Sequence, residues 1–199
     1  MPTEAGSKMQ ECIKAVCRMH ASVSTLLKDF DKYVAWPSTS VFGNTATKDL
    51  TYATKAESWM PEGVFRYLSS KSNPRLVEAI TICFVEPALE EPVLLIGQLE
   101  YTDDPLQMRT MCDGWDLWHL YFPIRTVWSH RVAVSCTVPA TLASRIHRAT
   151  LVSAPLYSIS RISDVRVFLE TVRGIPTPAG ISGPELVSRP SGATNQETK

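Results

Sequence analysis

Two dense apolar runs joined by a short polar segment dominate the chain: LVEAITICFVEPALEEPVLLIGQLEY, residues 76–101. In the first run Ile80, Ile82 and Phe84 alternate with Ala79, Thr81, Cys83 and Val85, the period of two expected of a strand covered on both faces. The second run places Val93, Leu95, Gly97, Leu99 and Tyr101 on one face, while its other face passes from Leu94 and Ile96 to Gln98 and Glu100. The joint EPALEEP is too short for the crossover of about a dozen residues that parallel pairing requires, so the two strands are expected to pair antiparallel.

The same reading predicts a helix over residues 8–34, capped by Ser7. Met9, Ile13, Val16, Val23, Leu27, Phe30 and Val34 recur in alternating steps of four and three once His20 is admitted to the row. Cys12, Leu26 and Tyr33 widen this seam into the stripe of a helix packed on a sheet, with part of it offered to another chain as the alternative. Trp36-Pro37 ends the helix. Residues 38–58, rich in Ser and Thr, read as a long surface loop, and loops of that length tend to be functional. A short helix is predicted over 59–70, with Pro61 in its first turn and Val64, Phe65 and Leu68 inward.

Beyond the hairpin, alternation predicts strands over 115–122 and 125–136, then a helix over 139–148. The run TLVSAPLYSI reads as a fifth strand that Pro155 demotes to an edge. A last helix, capped at Ser163-Asp164, carries Val165, Phe168, Leu169 and Val172 inward and stops at Gly174. The prediction is an α+β fold: a mainly antiparallel sheet of four to five strands packed by a long N-terminal helix and two or three shorter ones. Residues 1–174 form one domain and 175–199 a disordered Pro/Gly/Ser-rich tail.

Composition changes this picture little. The 199 residues are 44% hydrophobic with a formal net charge of zero, which gives no bulk reason to expect a membrane or nucleic-acid partner. The distribution is more informative. Residues 76–116 carry nine acids against one base, Arg109, whereas residues 124–175 carry seven arginines against Asp164 and Glu170. Two such segments are expected to be neighbours that partly neutralise one another. No window reaches the roughly 18 apolar residues of a membrane span, the N-terminus lacks a signal-peptide core, and five scattered cysteines suit a reducing compartment, so a cytoplasmic location is expected.

Candidate chemistry concentrates in residues 112–130. Cys112, Asp116, His119 and His130 supply a thiol, a carboxylate and two imidazoles for acid–base or thiol chemistry. However, Asp116 and His119 are three apart, and an undistorted strand sends them to opposite faces. Cys17 and His20 share a helix face at a spacing two metal ligands can use, but two ligands do not make a site, and no metal or other cofactor is implied. Phosphate-loop, dinucleotide, nucleophile-elbow and zincin motifs are all missing. Between Lys71 and Lys199 there is no lysine, which disfavours a nuclease built on the hairpin acids. Arg125, Arg131, Arg145 and Arg148, with Trp128 among them, form a candidate binding face suited to carboxylate or phosphate.

From these features the expected function is a non-enzymatic protein-interaction subunit of a larger intracellular assembly. The partner is another protein, with an acidic surface as one option; nucleic acid bound through the arginine face, or a second copy of the chain, are others, and a membrane is not expected. His20, Leu27, Trp36, Phe42 and Trp59 are the candidate interface residues. The alternative is a small hydrolase or metal-dependent nuclease using the Asp/His cluster.

Overall fold

A computed structural model of the chain describes residues 4–34, 36–47, 61–85, 90–107, 114–124, 133–159 and 161–174. A 30-residue helix α1 (Glu4–Tyr33) leads into a short strand β1 (Ser38–Ser40), followed by β2 (Gly63–Ser70), β3 (Leu76–Cys83) and β4 (Val93–Tyr101). Next come a six-residue helix α2 (Asp116–Tyr121), β5 (Val134–Cys136), β6 (Ile146–Pro155) and α3 (Ile162–Val172). The six strands form one antiparallel sheet in the order β1-β2-β3-β4-β6-β5.

The central pair is the expected hairpin. Ile80 stands opposite Ile96 and Ile82 opposite Leu94, so the aliphatic positions of both runs share one face. That face is covered by α1 and α3: Phe30, Val165, Phe168 and Leu169 are buried against Ile80, Ile82, Leu94, Ile96 and Val152. The other face carries Tyr67, Val77, Leu95, Leu99 and Tyr101, and is covered by Trp115, Leu117, Leu120 and Tyr121 from α2 and its lead-in, with Leu142 from the turn before β6. Burial on both faces explains why β3 and β4 read as near-continuous apolar runs. Helix α3 stops where Gly174 takes φ 71°, a left-handed conformation that glycine adopts without steric cost.

Four local expectations are corrected. Residues 63–70, expected to end a helix, form β2. Val64, Phe65 and Leu68 satisfy a helical spacing, but Phe65, Tyr67 and Ser69 alternate with Val64, Arg66 and Leu68, and in the strand paired with β3 all of these but the half-buried Arg66 are buried. Residues 116–121, expected as strand, form α2. Its buried Leu117, Trp118, Leu120 and Tyr121 follow helical spacing, with His119 as the exposed position, and that pattern prevails over the strand preference of the aromatics. The expected helix over 139–148 is a series of turns running straight into β6. Because β6 begins at Ile146, Pro155 is its last residue, and the strand lies between β4 and β5 rather than at an edge.

Among the described residues the sheet has one strand more than the largest number expected: Ser38–Ser40 and Gly63–Ser70 are strands where a loop and a helix were expected, residues 116–121 are helix instead of strand, and Val134–Cys136 is the end of the strand expected over 125–136. The expected loop over 38–58 thus begins as β1 and sends Val41 and Phe42 into the core, while residues 48–60 lie outside the described residues. Most of the expected strand over 125–136 and the whole tail 175–199 also lie outside them. No helix among the described residues is long and apolar enough to cross a membrane.

Candidate functional site

Helix α2 is fixed to the sheet by polar groups rising from beneath it. The Leu117 amide donates to the Tyr67 hydroxyl of β2 at 2.9 Å, satisfying a first-turn N–H that has no partner within the helix. The Tyr101 hydroxyl of β4 donates to Asp116 Oδ2 at 2.9 Å, and Arg145 Nη2 closes a short ion pair with Asp116 Oδ1. Asp116 is completely buried. With one oxygen held by a hydroxyl and the other by a guanidinium, it is arranged as an anchor rather than as a base awaiting a proton.

Above this anchor lies an open cleft of about 560 Å³ lined by Trp118, His119, Phe122, Pro123, Pro139, Thr141, Leu142 and Arg145. Asp116 and His119 therefore share one short helix, but the carboxylate faces the core and the imidazole faces outward. Cys112 and His130, the other members of the expected cluster, lie outside the described residues, as do Arg125, Trp128 and Arg131 of the expected binding face and Trp59 of the expected interface. Among the described residues no group of three or more His, Cys, Asp or Glu side chains is placed to hold a metal ion. Cys136 is partly buried, and that burial pushes its thiol up to about 11.

Three of the arginines pair with acids of the oppositely charged segment, while Arg166 pairs with Glu170 of its own helix. Arg145 meets Asp116, Arg148 meets Glu100 at 3.5 Å, and Arg173 meets Glu78 at 2.6 Å. The Arg173–Glu78 pair joins three elements, because the Arg173 guanidinium grips both Glu78 oxygens of β3 and also donates to the Tyr33 carbonyl at the end of α1. On the other side of α1, Arg66 of β2 makes a two-pronged contact with Asp31 at 3.0 and 2.9 Å. These clamps hold the C-terminal part of α1. Sequence reasoning did not single out Glu78–Arg173 as a joint, although the opposing charge of the two segments was its visible trace.

The N-terminal part of α1 is differently placed. The helix buries Val23, Asp29 and Phe30, and Leu26, Leu27, Tyr33 and Val34 pack against the same core. Before Val23 no residue of α1 is buried, and the seam continues with Met9 67% and Ile13 57% exposed. At the junction His20 stacks on Phe84 with ring centroids 6.0 Å apart. The next residue, Val85, is 62% exposed, and the amides of Phe84 and Val85 both donate to the Glu62 carbonyl, which fixes that corner. Of the other expected interface residues, Phe42 lies edge-on to Phe65 and Tyr67 at 5.1 and 5.5 Å, and Leu27 packs into the core below α1. Trp36 is half-buried.

No protein-family model, no curated protein and no solved structure matches the chain.

Proposed function

We propose that the chain is a non-enzymatic interaction subunit that docks into a larger cytoplasmic assembly through the free N-terminal part of α1. One observation carries the reading. A seam that buries Val23 and Phe30 in the chain's own core runs on past His20 through a half-buried Val16 to Ile13 and Met9, whose apolar side chains are turned to solvent. A helical segment of that length is marginal in water without packing along its apolar face, so a covered state is the one its sequence suits. Contiguous exposed apolar surface rimmed by polar residues is also the usual mark of a protein contact. The engagement of Asp116 by Tyr101 and Arg145 argues against the acid–base alternative. Pairing of Arg145, Arg148 and Arg173 with acids of the chain leaves less of the arginine face for nucleic acid.

The test is affinity recovery of the tagged full chain from its host, as wild type and as Ile13→Glu. The expected result is a protein partner at fixed stoichiometry with the wild type and its loss with the variant. Recovery that is unchanged by Ile13→Glu would overturn the reading.

A further inference from the structure

The free part of α1 also carries information about what covers it. At the helical 100° per residue, the five charged side chains of residues 4–22, Glu4, Lys8, Glu11, Lys14 and Arg18, all fall on the half of the helix away from the seam. In heptad terms Met9, Ile13, Val16, His20 and Val23 occupy the two central positions, and the flanking ones are Gln10, Cys12, Cys17 and Met19. Those flanks normally hold the Glu and Lys residues that choose a partner and forbid self-pairing. Here they are uncharged, so two identical seams meet without like-charge repulsion.

Resting on the docking reading above, we infer that the occupant is a second copy of this chain, its α1 packed antiparallel against the first. In the register that faces Ile13 with the second copy's Val16, Met9 faces the second copy's His20, and the relation repeats on the other side of the twofold axis. Each Met9 then arrives beside Phe84, which stacks on His20, and beside the exposed Val85, so the contact continues from the helix onto the body. Gly6 falls opposite the second copy's Val23, where that copy's body begins, and offers no side chain to clash. A parallel pair would instead stack His20 on His20 and force both bodies onto the same end of helices whose axes lie about 8–10 Å apart.

The free strip is about 28 Å long and about 10 Å wide. At about 280 Å² per copy the strip is smaller than a standard specific interface, so the pairing is expected to be weak and reversible, with a dissociation constant on the order of 10 μM.

Sedimentation velocity of the full chain from about 1 to 200 μM tests the inference. Wild type is expected to pass from monomer to dimer over that range. Ile13→Glu, which puts a carboxylate from each copy into the seam, should weaken pairing by about 100-fold or more, and Lys14→Glu on the far face should leave it unchanged. Orientation is read by mixing Met9→Cys and His20→Cys chains, each with Cys12→Ser and Cys17→Ser, under mild oxidation. The mixed Met9→Cys/His20→Cys disulfide should predominate, and predominance of like-with-like disulfides would overturn the antiparallel arrangement. A monomer at 200 μM, or a dimer indifferent to Ile13→Glu, would overturn the second copy as occupant. If the chain is monomeric yet wild type, and not Ile13→Glu, recovers a different protein from its host, the docking reading stands and this inference falls.

Discussion

Replacing Arg173 with Met tests the clamp that joins α1, α3 and the sheet. Glu78 has 0% of its surface exposed and Arg173 keeps 12% of its side-chain surface, so the pair is desolvated and bidentate, at 2.6 and 2.7 Å. Arg173→Met leaves the Glu78 carboxylate buried without its counter-charge, a change that costs about 3–5 kcal/mol. It also removes the donor to the Tyr33 carbonyl at 2.9 Å, worth about another 1 kcal/mol. A domain with a total stability of about 5–15 kcal/mol feels that loss strongly. Urea unfolding followed by tryptophan fluorescence measures it, in an Ile13→Glu background so that self-association does not contribute. The partner experiment is the double variant Glu78→Met with Arg173→Met. Removing both charges together is expected to recover stability to within about 1–2 kcal/mol of the parent, since an apolar replacement of a buried pair is often neutral or stabilising. Loss of under about 1 kcal/mol in Arg173→Met, or a double variant as unstable as the sum of the singles, would refute the clamp.

Three further outcomes are expected. A Cβ on Gly97 would lie 2.5 Å from Leu117 Cδ1, so Gly97→Val should cost about 1–3 kcal/mol in urea unfolding and loosen α2, seen as easier quenching of tryptophan fluorescence. Tyr67→Phe leaves the Leu117 amide buried without its acceptor and should cost about 1–3 kcal/mol by the same assay. Cys12 and Cys17 are exposed and should be alkylated readily at neutral pH, whereas Cys136, with its thiol pushed up to about 11, should resist; peptide mass mapping distinguishes them. The same shift fixes a sign. The thiol is neutral in both folded and unfolded states below about pH 9, so its contribution to stability should fall as pH rises from about 9 through about 11.

The parts of the fold legible in the sequence were those where one pattern had no competitor. The β3–β4 hairpin was legible because alternation and a seven-residue joint admit only antiparallel pairing. The α3 stripe was legible because Val165, Phe168, Leu169 and Val172 fit only a helix, and Gly174 marks its end. The opposition of charge between residues 76–116 and 124–175 was also legible, and it is realised as Asp116–Arg145, Glu100–Arg148 and Glu78–Arg173.

Where two periods fitted the same residues, tertiary context decided. Residues 63–70 carry both patterns, and a free β3 edge made them a strand. Residues 115–122 look like strand by composition, but Tyr67 and Tyr101 reach up to cap and anchor a helix there, and local sequence cannot announce contacts made from 15 and 50 residues away. Pro155 misled because the start of β6, at Ile146, was placed too late. In the first helix the heptad row was visible from the start. How far along it the body reaches depends on where the sheet ends, which only the assembled fold determines.

Hydrogen exchange of the α1 amides tests the central claim most directly, that the seam before Val23 is covered by a second copy of the chain. At about 200 μM the amides of residues 8–22 should exchange slowly in wild type. They should exchange about fivefold faster on dilution to about 1 μM and in Ile13→Glu, while those of residues 24–33, held by the body, stay protected throughout. Equal exchange of residues 8–22 in wild type and Ile13→Glu at every concentration would contradict it.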